Sequence, residues 1–320
     1  MTTSDLVDGV KAGNPAAIAR VISRSEQATG LFDPDIAALY RNACQSHIVG
    51  VTGPPGSGKS TLVDALARHL RSRDASVGVL AIDPTSPLSG GALLGDRIRM
   101  AGLTEDPEVF VRSMANRGKL GGLAPAVADA ATALAVSGRD TVIIETVGVG
   151  QDEVEVAQAA HTTIVVSVPG LGDDVQTMKA GLLEIADIHV VNKTDLPGAD
   201  RVIADLRDML GYQEASAEAW VTPVLAVSAE YGTGIGELGE VIGKHHAWLA
   251  SSGELESRQR AITEQRIQSA IVDLIVHRMN RLPAQAMAEA IDAVRSRASD
   301  PFTVAQALLE STFADSGDGG

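Results

Sequence analysis

The chain alternates short apolar runs with longer segments whose apolar residues recur at helical spacing. The short runs are rich in β-branched residues and almost continuously apolar, which predicts strands buried on both faces of a parallel sheet. We place these strands at 48–52, 77–82, 108–111, 141–145, 163–168, 188–192 and 222–227. Because the strands alternate with helix-length segments, the pattern predicts an α/β fold with a mostly parallel central sheet.

Helical patterns also precede the first strand and follow the last one. Residues 1–44 are expected to form a helical N-terminal extension, and residues 45–250 hold all of the predicted strands. Residues 251–313 predict a long amphipathic helix, from Glu254 to Arg281, and two further helices. Their apolar face either packs on the core of the chain or forms a dimer interface. The glycine-rich residues 314–320 are expected to be a disordered tail.

Composition and charge exclude several classes of protein. The net charge of −15 argues against a nucleic-acid partner, because phosphate contacts need clustered Lys and Arg. No apolar stretch approaches the roughly 20 residues that cross a bilayer, and the first residues do not resemble a secretion signal. Cys44 is the only cysteine, which excludes an intrachain disulfide. We therefore expect a cytoplasmic protein with no membrane partner. The adjacent pair His245 and His246 is interpreted as surface residues, because neighbouring side chains on a helix diverge.

A glycine-rich segment lies between the first predicted strand and a helical run from Thr61 to Arg73. It has the pattern G-x-x-x-x-G-K-S, in which backbone N–H groups turn inward around a phosphate and the helix adds its positive end. Lys59 is expected to reach the β- and γ-phosphates, and the Ser60 hydroxyl is expected to bind Mg²⁺. The predicted phosphate-binding residues are Gly53, Pro54, Pro55, Gly56, Ser57, Gly58, Lys59, Ser60 and Thr61.

Three acidic residues are candidates for the magnesium side of this site. Glu145 ends the fourth predicted strand, at the position where phosphate-loop enzymes hold Mg²⁺ through an acid. GTPases usually carry D-x-x-G there; Glu145 replaces the Asp, and Gly148 would donate its N–H to the γ-phosphate. Asp83 and Asp96 flank a flexible segment with the character of a switch loop. Capping of a turn or helix is the alternative role for both.

The base-binding residues are predicted by two motifs at the ends of the last two strands, N-K-T-D and S-A-E. The Asp195 carboxylate can accept hydrogen bonds from guanine N1–H and the 2-amino group, whereas adenine would leave it unpaired. Lys193 can lay its stem along the base, and a backbone N–H of the second motif can meet guanine O6. The order of the motifs predicts GTP rather than ATP. The predicted base-site residues are Asn192, Lys193, Asp195, Ser228, Ala229 and Glu230.

The residue that orients the attacking water is not apparent. Ras-like enzymes place a Gln directly after D-x-x-G, and this chain has Val149 there. Gln151 is a possible substitute, with a structural amide as the alternative. We expect slow hydrolysis that a partner accelerates. Candidates for a transition-state arginine, with surface ion pairs as the alternative role, are Arg97, Arg99, Arg112 and Arg117.

Taken together, the motifs G-P-P-G-S-G-K-S, D-P-T-S-P, G-D-R-I-R-M, E-T-V-G-V-G-Q and N-K-T-D resemble one family over nearly the whole chain. The motifs are similar to those of the methylmalonyl-CoA-mutase-associated GTPase family, of the MeaB and MMAA type. Some members of this family are also labelled ArgK-like. The resemblance implies a P-loop GTPase with helical extensions and a homodimer joined through the C-terminal helices. It also implies that Lys59, Asp83, Asp96 and Glu145 form the catalytic and Mg²⁺-linked set. Ser60 completes the implied Mg²⁺ ligands.

In function, the resemblance implies a GTP-hydrolysing chaperone of an adenosylcobalamin-dependent acyl-CoA mutase, which it protects and for which it gates cobalamin loading. Residues 169–179 match a further switch that responds to the mutase. Methylmalonyl-CoA mutase is the default client, with isobutyryl-CoA and ethylmalonyl-CoA mutases as chemically close alternatives. The main rival is a nucleotide-dependent kinase or ATPase linked to arginine and ornithine transport, against which N-K-T-D counts. A nickel-delivering GTPase is a second rival, and the lone cysteine counts against it.

Overall fold

The predicted apolar runs form one parallel sheet in the computed structural model, which describes residues 3–27, 33–42, 45–84, 102–116, 125–146, 152–170, 184–211 and 219–314. Within those residues the sheet has seven strands in the order β3-β2-β4-β1-β5-β6-β7, and every neighbouring pair is parallel. The strands are β1 His47–Thr52, β2 Val77–Pro84, β3 Val109–Asn116, β4 Thr141–Glu145, β5 Thr162–Ser167, β6 Ile188–Val191 and β7 Val224–Ala226. The predicted α/β class is therefore confirmed.

Helices connect the strands and extend the chain at both ends. They are α1 Thr3–Lys11, α2 Pro15–Gln27, α3 Pro34–Tyr40, α4 Lys59–Arg71, α5 Pro125–Val136, α6 Asp152–Ala159, α7 Ala199–Gly211, α8 Ile235–Ser252, α9 Glu254–Met279, α10 Ala284–Arg295 and α11 Pro301–Ala314. A short 3₁₀ turn, Ala229–Tyr231, follows β7. No described helix is long and apolar enough to cross a membrane. Cys44 and residues 315–320 of the predicted tail lie outside the described residues.

Both faces of the sheet are covered, as a parallel sheet of continuously apolar strands requires. On one face α4 and α8 pack through Leu62, Leu66 and Leu238 against strand residues such as Val51 and Ile143. The other face is covered by α5 and by the N-terminal helices. The apolar residues that predicted those helices are all buried there: Val7, Val10, Ile18, Val21 and Ile22.

A cluster of histidines lies at the amino ends of the strands, the edge opposite the glycine-rich loop. Thr162 Oγ1 hydrogen-bonds to His47 Nε2 at 2.7 Å and to His245 Nδ1 at 2.8 Å. The His47 and His246 rings stack with centroids 4.1 Å apart. The interpretation of the His245–His246 pair as surface residues is wrong for His245, whose side chain is fully buried. His246 is half-buried.

The environment of this cluster keeps two imidazoles neutral. Burial, with smaller contributions from the neighbouring histidines, lowers the pKa of His47 from 6.5 to about 2. Burial, followed by His246 and the Arg258 guanidinium, lowers the pKa of His161 to about 4. Proton uptake by the unfolded chain therefore opposes folding at acidic pH.

An ion pair joins this end of the sheet to the C-terminal helices. Arg258, in the second turn of α9, donates to the two Asp187 carboxylate oxygens at 2.8 and 2.6 Å and to the His161 carbonyl at 2.8 Å. Burial acts to raise the pKa of Asp187, but hydrogen bonds from Arg258 and His245 hold it below its usual value. Further along α9, Arg266 donates to the Ala128 carbonyl of α5 at 3.1 Å. Helix α9 therefore docks on the body of the protein through arginines.

Candidate nucleotide-binding site

The glycine-rich loop joins β1 to α4 in the strand–loop–helix order that the sequence predicted. Gly53 has φ +143°, and a Cβ there would lie 2.2 Å from the Val166 carbonyl oxygen. Gly58 has φ +82°, and a Cβ would lie 2.6 Å from Asn192 Nδ2. Both positions exclude a side chain by conformation and by space, so the loop can follow this course only with glycine at these two positions.

Lys59 is the first residue of α4 and is almost completely buried. Its ammonium donates to the Gly53 carbonyl at 2.8 Å and to the Pro54 carbonyl at 3.0 Å. The side chain therefore spans its own loop and presents positive charge at the N-terminal end of a helix. That placement is suited to a phosphate chain, because the helix dipole and the ammonium attract the same anion.

Ser60 and Glu145 meet at the carboxyl edge of the sheet. The Ser60 hydroxyl donates to Glu145 Oε1 at 2.6 Å, and both side chains are buried. Two adjacent oxygen donors, one of them an acid, are the kind of ligands that Mg²⁺ takes, so these residues fit the ion. Asp83 lies at the same edge, since β2 pairs with β4 through Ala81 and Glu145. The described part of Asp83 is its backbone.

The N-K-T-D loop is fastened to the phosphate loop by its first residue. Asn192 Nδ2 donates to the Ser57 carbonyl at 2.9 Å, and Asn192 Oδ1 accepts from the Ala229 N–H at 3.0 Å. The side chain is 2 % exposed. Asn192 therefore braces three segments, the phosphate loop, the N-K-T-D loop and the turn after β7. The motif reading assigned it to the base site and missed this bracing role.

The other two predicted base-site residues of the motif, Lys193 and Asp195, also contact neighbouring segments. Lys193 has φ +58°, and its ammonium donates to the Gly56 carbonyl at 2.8 Å. The Ser228 hydroxyl donates to Asp195 Oδ1, which fixes the carboxylate beside the turn at Ala229–Tyr231. Asp195 is exposed at the surface of the chain. The structure thus brings the residues of the two predicted base-site motifs together.

Two buried threonines mark the point where the phosphate loop and the Glu145 strand separate. Thr146 Oγ1 donates to Thr52 Oγ1 at 3.1 Å, and the Thr146 N–H donates to the Val51 carbonyl at 3.1 Å. This pair was not predicted from the sequence. Its only signal was that each threonine directly neighbours a predicted site residue, Gly53 or Glu145.

Several predicted residues lie outside the described part of the chain: Asp96, Gly148, Val149, Gln151, Arg97, Arg99, Arg117 and residues 171–179 of the proposed switch. Of the candidate arginines, Arg112 is described. It lies on β3 and donates to the hydroxyl of Ser23 and to the carboxylate of Glu26, both on α2. Arg112 thus takes the alternative role, a structural ion pair.

Comparisons with known proteins agree with this architecture. A putative GTPase of Pyrococcus horikoshii is 42% identical over 308 residues, which cover 96% of this chain and 97% of the relative. The mitochondrial methylmalonic aciduria type A homolog of Mus musculus is 35% identical over 66% of this chain and 52% of its own length. A crystal structure of an LAO/AO transport system kinase covers 97% of both chains with a TM-score of 0.68 at 24% identity, which shows the shared fold. The family model described as methylmalonyl Co-A mutase-associated GTPase MeaB matches residues 16–284, and the chain belongs to that family of GTPases.

Proposed function

We propose that this GTPase binds GTP and GDP with Mg²⁺ and acts as a chaperone of an adenosylcobalamin-dependent acyl-CoA mutase, with methylmalonyl-CoA mutase as the client. The observation that carries the nucleotide assignment is the Asn192 brace. It joins the phosphate loop to both base-site segments through bonds of 2.9 and 3.0 Å. A chain built to hold a phosphate group and a guanine at one edge of the sheet needs this connection.

Each residue of the site has a role in this proposal. Lys59 holds the loop closed around the β- and γ-phosphates and contributes its charge to the γ-phosphate as the bond to it breaks. Ser60 and Glu145 hold the magnesium ion, which offsets the negative charge of the phosphates when it is bound. Asp83, Asp96 and Gly148 complete the phosphate and metal side by their motif positions.

Base selection rests on Asp195. Its carboxylate is fixed by Ser228 and pairs with N1–H and the 2-amino group of guanine. Lys193 crosses from the N-K-T-D loop to the phosphate loop, so its stem can support one face of the base. Within the turn, the Ala229 N–H donates to Asn192 and the Tyr231 N–H donates to the Ser228 carbonyl, so we assign the contact with guanine O6 to the Glu230 N–H.

The role as a mutase chaperone is supported by the family description and by the name of the mouse relative. Val149 takes the place of the water-orienting Gln, which supports slow hydrolysis until the mutase binds. A pull-down tests this role: a lysate that contains this GTPase is passed over an immobilised non-hydrolysable GTP analogue, and the proteins retained with the GTPase are identified. We expect a cobalamin-dependent mutase to be retained and to accelerate GTP hydrolysis. Recovery of no such enzyme, or transfer of the γ-phosphate to a transport protein, would contradict it.

We further propose that residues 45–250 form the GTPase domain and that residues 251–313 form a homodimer interface. Helix α9 docks on that domain through Arg258 and Arg266. On the opposite face of the helix, Ile267, Ile271 and Leu274 form a stripe, and these side chains are 57%, 51% and 49% exposed. Among the described side chains of α9, α10 and α11, Ala290 alone is buried. An apolar stripe of this kind favours association of two copies.

Sedimentation of two matched variants tests the dimer. Ile271→Glu places a charge in the stripe and is expected to shift the protein towards the monomer. Gln268→Glu adds the same charge beside the stripe and should leave the dimer in place. A dimer that survives Ile271→Glu as well as Gln268→Glu would contradict the assignment of the interface.

A further inference from the structure

Thr52 and Thr146 lie between the two halves of the proposed phosphate and metal site. Thr52 is the last residue of β1 and precedes Gly53; Thr146 directly follows Glu145 at the end of β4. The strands pair in parallel with Val51 opposite Glu145, so the two threonines are the next pair in register. Their side chains are 0% and 1% exposed, and their hydroxyls are 3.1 Å apart.

The threonines face away from the candidate magnesium ligands. Successive side chains along a strand alternate between the faces of the sheet. Glu145 turns towards Ser60 on α4, so Thr146 turns towards the opposite face of the sheet. It shares that face with Val142 and Ile144, which pack in the second core. The Thr146 hydroxyl therefore bonds to Thr52 rather than to Ser60.

A buried hydroxyl pair at this position is informative because valine has nearly the shape of threonine. Two valines would fill the same space without removing any polar group from water. The pair instead adds a specific bond between the ends of β1 and β4, beyond the ladder bond from the Thr146 N–H to the Val51 carbonyl. That bond fixes the residue after Glu145 relative to the residue before the phosphate loop.

We propose that Thr52 and Thr146 are positioning residues for the magnesium site: their hydroxyl bond clamps the Glu145 end of β4 to the start of the phosphate loop. The clamp sets the separation of the Glu145 carboxylate and the Ser60 hydroxyl, which is 2.6 Å. This inference rests on the proposed function, since it assigns Glu145 and Ser60 to Mg²⁺. Loosening the clamp should weaken binding that depends on the ion and spare binding that does not.

The test measures binding of fluorescently labelled GDP to the full chain, once with excess Mg²⁺ and once with EDTA. The dissociation constant in EDTA divided by that in Mg²⁺ reports how much the ion strengthens binding. The thermal midpoint of unfolding reports the stability of the fold. Thr146→Val removes one hydroxyl and is expected to lower the ratio by about fivefold, the equivalent of one hydrogen bond. Thr146→Ser retains the hydroxyl and should keep the ratio of the wild type.

The double variant Thr52→Val/Thr146→Val separates positioning from stability. It leaves no unpaired hydroxyl, so its thermal midpoint should recover towards that of the wild type while the ratio stays low. The clamp is overturned if Thr146→Val lowers the midpoint without changing the ratio, if Thr146→Ser behaves like Thr146→Val, or if the double variant recovers the ratio. A wild-type chain whose GDP binding does not respond to Mg²⁺ overturns the proposed function, and the clamp with it.

Discussion

Replacing Asn192 by alanine should damage the nucleotide site and the fold together. The Asn192 carboxamide makes two hydrogen bonds to backbone groups, one to the Ser57 carbonyl and one from the Ala229 N–H. Because the side chain is 2 % exposed, alanine leaves both partners in a space that water enters poorly. The phosphate loop and the turn after β7 then lose the connection that fixes their separation.

The size of the effect follows from the two bonds. A buried polar group left without a partner costs about 1–3 kcal/mol, so the loss of both bonds should lower the free energy of unfolding by about 2–6 kcal/mol. The affinities for GTP and GDP should fall together by about 10- to 100-fold, the equivalent of about 1.4–2.8 kcal/mol, because both nucleotides need the two loops at a fixed distance.

Urea unfolding and calorimetric titration with GTP and GDP measure the two quantities. Thr194→Ala is the matched control, since it shortens a side chain in the same loop and leaves both Asn192 bonds intact. The control should stay within about 0.5 kcal/mol of the wild type. An Asn192→Ala chain with wild-type affinity for both nucleotides would refute the bracing role.

Two further predictions concern the loop and the histidines. Gly58→Ala should abolish measurable GTP binding, because its Cβ would lie 2.6 Å from Asn192 Nδ2. Gly56 has φ +77° and no atom within 4 Å of an added Cβ, so Gly56→Ala should cost only about 1–2 kcal/mol of backbone strain. Equal GTP affinities in a titration of the two variants would contradict this prediction. Because burial lowers the pKa of His47 to about 2 and of His161 to about 4, the unfolded chain takes up protons first as the pH falls below 6.5. The free energy of unfolding from urea titrations should therefore fall by about 3 kcal/mol between about pH 8 and about pH 5.5, and a constant value would show that these imidazoles are not held neutral.

The sequence predicted the sheet and the position of the site because both depend on local patterns. Apolar runs mark the strands, and parallel strands bring their carboxyl ends to one edge, so motifs that follow strands had to meet there. The extent of β3 was underestimated, 108–111 against Val109–Asn116, because its second half is defined by pairing with β2 rather than by its own pattern.

Features that depend on distant partners could not be predicted in this way. The burial of His245 depends on Thr162, Asp187 and Trp220, which approach it only in the fold. The bracing by Asn192 likewise depends on a carbonyl that lies 135 positions earlier in the chain. Whether the C-terminal helices pack on the core or remain exposed depends on which surface the GTPase domain leaves open, and a periodic pattern carries no information about that surface.

The central claim is that the site selects guanine through Asp195, and competition among nucleotides tests it most directly. Binding of GTP, ATP and xanthosine triphosphate to the wild-type chain and to Asp195→Asn should be measured under one set of conditions. We expect the wild type to prefer GTP over ATP, and Asp195→Asn to lose affinity for GTP and to gain affinity for xanthosine triphosphate. The guanine 2-amino group donates to the Asp195 carboxylate, whereas the 2-oxo group of xanthine accepts from the amide N–H of the asparagine. Equal binding of ATP and GTP by the wild type, or unchanged GTP affinity in Asp195→Asn, would contradict the account.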